Sequence, residues 1–173
     1  SSFTPNINNR KKFIPKKISS LRSTQKIFNE TKSLNKIELK EYSLLFLIIN
    51  NLKFFKEHLD NLKKLRLFSD ENKEAMSKII NHLEENDDPH TVEIPIDNKI
   101  LYKVNKYASI KHIFKNINND KFKLMEIYDE ITSDLSSLGV DLKIEELESK
   151  FSQDLNENTF NQIKELKKLQ NIN

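Results

Sequence analysis

The chain has 173 residues, 36% of them apolar, and a net charge of only +3, so it can bury a core but carries no charge excess that marks a partner by itself. It contains no cysteine, which removes disulfides and thiolate metal sites. No apolar run reaches the roughly 18 residues of a membrane span, and no signal peptide is visible.

One Gly and four Pro in a chain rich in Lys, Glu, Leu and Ile specify an all-α fold: a small helical bundle, then a long helix and a C-terminal helical hairpin. Residues 1–31 read as a basic flexible linker. Arg10, Lys11, Lys12, Lys16, Lys17, Arg22 and Lys26 precede the first acid, Glu30, and Pro5 and Pro15 interrupt the backbone. Such an arm suits either a nucleic-acid contact, with Arg10, Lys11, Lys12, Lys16 and Lys17 as the candidates, or a soluble tether, the commoner case. The opening Ser-Ser without Met suggests a piece of a longer protein.

Residues 32–120 are expected to form the bundle. Glu38–Asn51 is apolar almost all round, from Tyr42 through Ile49, which places it at the bundle centre. A short helix, Leu52–Leu62, follows. Ser69 is positioned to cap a helix over Asp70–Glu85, whose stripe is Met76, Ile79, Ile80 and Leu83. Thr91–Ile96 alternates weakly, but Pro95 argues against a central strand. Asp97 caps a helix through Asn105, Ser109 is placed to cap the next, and Asn118, Asn119 and Asp120 precede the long helix.

Residues 121–173 hold the long helix, Lys121 to about Asp154, and a closing helix from about Glu157 to Lys168, with Asn156 at the turn. Leu124, Tyr128, Ile131, Leu135, Leu138 and Leu142 form one stripe; Val140, Ile144, Leu147, Phe151 and Leu155 form a second, roughly opposite stripe. The changeover falls at Gly139, the only glycine. A continuous helix would span about 50 Å and predicts that Gly139→Ala stabilises by about 1 kcal/mol; a left-handed cap at Gly139 predicts the reverse. On the closing helix, Phe160, Ile163, Leu166 and Leu169 are spaced by threes, and each such step loses about 60°. The result is a band too broad for one partner helix, and uncovered apolar surface of this kind marks binding sites. A band packed back on the bundle is the alternative.

Catalytic patterns are weak. One glycine leaves no phosphate-cradling loop. His58, His82, His90 and His112 lack metal-ligand spacing with acids on a shared helical face. Asp87 with Asp88 and Asp129 with Glu130 read as a turn and a solvated face, not as converging acid–base pairs.

The element order, with Leu65-Arg66-Leu67-Phe68-Ser69 before a helix and Leu147-Glu148-Ser149-Lys150-Phe151 leading into Asn156-Glu157-Asn158 and Phe160–Leu169, resembles the C-terminal helicase-binding domain of bacterial DnaG-type DNA primases, in its alphaproteobacterial style. The resemblance covers about 30–173. It implies a non-catalytic cytoplasmic domain that docks on the hexameric DnaB-type replicative helicase and recruits RNA primer synthesis to the replication fork. It also places single-strand binding protein among the candidate partners. No cofactor is expected in these residues, since the zinc and magnesium of such a primase would sit in other domains. The implied contact residues are Phe160, Ile163, Leu166 and Leu169, with Lys164, Lys167 and Lys168 as a polar rim and Leu147, Phe151 and Leu155 supporting the hairpin. Two departures stand out. The Trp common near the start of the long helix is absent, with Phe122 or Tyr128 in its place, and Gly139 interrupts a segment that is continuous in relatives.

Overall fold

A central apolar helix organises the bundle, and the polar groups at its ends explain where it starts and stops. The computed structural model describes residues 35–89, 93–114 and 120–170; the basic arm and His90 lie outside these. Helix α1, Lys36–Ile49, opens with a reciprocal cap in which Asn35 accepts from the Ile37 N–H and Glu38 accepts from the Asn35 N–H. Nearly every residue from Glu41 to Ile48 is buried, as the all-round apolar sequence predicts. The next stretch is not one helix but two, α2 (Leu52–Glu57) and α3 (Leu59–Lys64), broken at His58. Helices α4 (Asp70–Glu85), α5 (Asn98–Tyr107) and α6 (Lys111–Phe114) follow. The described residues contain no strand, and Glu93–Asp97 is irregular.

Helix α1 packs against α4, α5 and the long helix α7, Lys121–Gln153, which is succeeded by α8, Glu157–Gln170. Asp97 and Asp120 cap α5 and α7 as expected. The two serines do not act as expected. The Ser109 hydroxyl lies 3.1 Å from that of Ser43 on α1, and the Ser109 N–H donates to Ser43 Oγ at 3.0 Å, so the pair pins the α5–α6 turn to α1. Ser69 makes no side-chain cap because the fully buried Glu41 carboxylate takes over that end of α4. It accepts from the N–H groups of Phe68 and Ser69 and from Asn72 Nδ2, the last at 2.8 Å. A buried charge is tolerable when hydrogen bonds replace its water. Glu71, just inside α4, is bonded to Lys99 and Lys103 of α5, and the Lys103 bond holds its carboxyl below the usual range while raising the Lys103 ammonium.

Helix α7 is continuous through Gly139, with about 50 Å of length from 33 residues. Its first half contributes Leu124, Tyr128, Ile131 and Leu135 to the bundle core. Tyr128 stacks on Phe55 at 5.4 Å, and burial pushes its hydroxyl up to about 12. The second half turns Ile144 and Leu147 to the opposite side, toward α8. Residues 34–173 form one compact unit, so the long helix belongs to the bundle and to the hairpin alike.

Gly139 has a steric reason to be glycine even inside a helix. A Cβ there would lie 2.3 Å from Cζ and 2.9 Å from Cε1 of Phe68. The simple propensity gain expected for Gly139→Ala is therefore opposed by displacement of the Phe68 ring. In a Phe68→Ala background, Gly139→Ala is expected to stabilise by about 1 kcal/mol, whereas in the native background that gain disappears or reverses. Urea unfolding of the four proteins of this double-mutant cycle measures the coupling.

Candidate functional site

The hairpin of α7 and α8 turns at Asp154–Asn156. The Asn156 N–H donates to the Asp154 carbonyl at 2.8 Å, and Asn156 Oδ1 accepts from the Asn158 N–H at 2.8 Å, which starts α8. Two bonds tie the helices along their length. Lys167 Nζ reaches Glu148 at 2.5 Å, and the Gln170 amide reaches Asp141. On α7 itself, Lys150 and Lys143 both bond Glu146 and hold its carboxyl below the ordinary range.

Spacing by threes on α8 has the expected consequence. Only Ile163 faces α7 squarely and is buried, beside Ile144 and Leu147. Leu166 is half-buried, and Phe160 and Leu169 stay 50% and 56% exposed. One helix rotates its apolar residues too far per step for a single partner to cover them all.

Two of the expected roles are exchanged. Ile163 was expected at the contact surface, but burial makes it the centre of the hairpin core. Leu155 was expected to support the hairpin. It lies past the last turn of α7, at the bend, where no opposing helix faces it, and it is 82% exposed. Leu147 is buried, and Phe151 is half-buried with its ring 5.8 Å from that of Phe160. Of the lysine rim, Lys167 is engaged by Glu148, while Lys164 and Lys168 are exposed without an ion pair among the described residues. The apolar surface is thus Leu155, Phe160 and Leu169, with part of Phe151, and it runs from the tip along the outer face of α8.

No group of three or more His, Asp or Glu among the described residues is placed to hold a metal ion. His58 stacks on Phe54, His112 is exposed, and the buried His82 donates from Nε2 to the Pro89 carbonyl at 3.1 Å while Nδ1 accepts from Asn86. Asp87 pairs with Lys56 at 3.4 Å. No described helix is long and apolar enough to cross a membrane. Phe122, at the start of α7, is 80% exposed, whereas Tyr128 is in the core. The chain matches no family model, no curated protein and no solved structure.

The exchange of roles has a direct consequence for stability. Ile163→Ala is expected to cost about 2 to 3 kcal/mol through the cavity it leaves, while Leu155→Ala is expected to stay within about 0.5 kcal/mol of the native protein. Denaturant unfolding followed by circular dichroism separates the two.

Proposed function

We propose that this chain is a protein-docking domain, the C-terminal helicase-binding part of a DnaG-type primase, and that the α7–α8 hairpin makes the contact. The observation that carries the reading is the apolar surface that the hairpin leaves uncovered: Leu155 at the tip and Phe160 and Leu169 along the outer face of α8. Isolated exposed apolar residues are ordinary, but a row of them on one rigid hairpin is what a partner with an apolar groove recognises. Lys164 and Lys168 beside the row supply a polar rim.

The order of elements supports the same reading, since a helical bundle joined by one long helix to a terminal hairpin is the arrangement that the resemblance implies. In this reading the domain contributes no catalytic residue. It acts by position, bringing primer synthesis in the rest of the parent protein to a hexameric DnaB-type helicase in the bacterial cytoplasm. Continuity of α7 makes the hairpin a stiff arm, so a partner held at the tip is also held at a set distance from the bundle.

Titration of the chain against the helicase hexamer tests this. Leu155→Asp and Phe160→Asp are each expected to weaken binding by about thirtyfold, the loss typical of an interface anchor, with Leu155→Asp leaving the melting temperature unchanged. Undiminished binding of the double variant would remove the hairpin tip from the interface.

A further inference from the structure

A second surface, of different chemistry, lies at the base of the hairpin. A cleft of about 560 Å³ opens between the α3 end with its following loop, the middle of α7, and Leu166 of α8. Leu65, Phe68, Leu135, Val140 and Leu166 give it an apolar lining. Lys64, Arg66 and Lys143 stand around it, from α3, the loop and α7 respectively. No Asp or Glu lines it, although α7 is acidic elsewhere, at Asp129, Glu130, Asp134 and Asp141 among others. Lys143 is bonded to Glu146 at 3.0 Å, but Lys64 and Arg66 are exposed and form no ion pair among the described residues.

We propose that this cleft binds a short segment of another protein in which a bulky apolar side chain is flanked by carboxylates. The apolar side chain would displace water from an aliphatic lining. The carboxylates would meet the two cations that have no carboxylate of their own, where charge complementarity selects the partner and a planar guanidinium can bond an acid through two N–H groups. The basic arm of this chain has the wrong sign, because seven cations precede its first acid. Nucleic acid fits less well. Three cations on three elements do not form the continuous basic track that follows a sugar–phosphate backbone, and Tyr128 is buried, so the lining offers no row of open rings for bases. The cleft shares none of Leu155, Phe160 and Leu169, so this inference stands independently of docking at the hairpin tip.

The probe is the peptide acetyl-Asp-Leu-Asp-Phe-Asp-Leu-amide, added at low salt to the isotope-labelled full chain and followed by NMR. The expected result is saturable shifts of the Ser136, Val140 and Leu166 amides, with no comparable binding by the counterpart carrying Lys for Asp. Lys64→Glu combined with Arg66→Glu is expected to weaken the affinity by about thirtyfold. The milder Lys64→Gln with Arg66→Gln should weaken it less, and Phe160→Asp should leave it unchanged. Equal binding of the lysine peptide, full affinity in both double variants, or no saturable shift at these amides would overturn the proposal. Equally strong binding of a thymidine oligonucleotide at the same amides would overturn it in favour of nucleic acid.

Discussion

Everything in this molecule depends on α7 passing through Gly139 without a break. Leu135 faces the bundle and Ile144 faces α8, nine residues and about two and a half helical turns later, so the two point to opposite sides. A helix that changes faces in this way belongs to two hydrophobic clusters at once. The bundle holds one half by Leu124, Tyr128, Ile131 and Leu135, and the hairpin closes on the other half through Ile144, Leu147 and Ile163. The hairpin needs no flexible joint to stand where it does, because the helix backbone itself carries the load between the two clusters.

The changeover is fastened from the side by a chain of contacts that starts at a buried acid. Glu41 sits on the central helix with no water and no cation bonded to it, and three N–H groups satisfy its carboxylate: two from the loop before α4 and one from Asn72. Those bonds fix the loop, and the loop carries Phe68 to the bare backbone at Gly139. An isosteric apolar residue at position 41 would leave the same donors without partners, which is the costly form of polar burial. Asn72 Oδ1 remains the one buried side-chain oxygen without a partner among the described residues. The same loop presents Arg66 toward the cleft, so one carboxylate positions both the fastening of the long helix and a wall of the proposed peptide site.

Much of this architecture was legible in the residues. All-round apolarity announced the central helix, Asp97, Asp120 and Asn156 marked three helix starts, and two opposed stripes required a helix shared by two clusters. The broad band on α8 followed from spacing by threes, and its partial exposure follows from the same arithmetic. What stayed hidden has a common physical cause: it depends on which residue meets which across the fold. Periodicity shows that Leu155 continues a stripe, but not that the helix ends two residues before it and leaves it at the bend. Nothing local separates Glu41 from a solvated glutamate, and its burial comes from the loop that folds over it. Ser69 and Ser109 both occupy cap positions in the sequence, yet Glu41 and Ser43 across the fold supply the bonds. Gly139 was conspicuous as the only glycine, but the reason for it, the tip of Phe68, is more than 60 residues away.

Amide hydrogen exchange across the middle of α7, in the intact chain, tests the central claim most directly. A continuous, doubly anchored helix predicts that the amides of Gly139, Val140, Asp141 and Leu142 exchange in one cooperative unit with those of Thr132–Ser136, sharing their dependence on denaturant. Fast exchange confined to Gly139–Leu142, with protected residues on both sides, would contradict it and show two helices joined by a hinge.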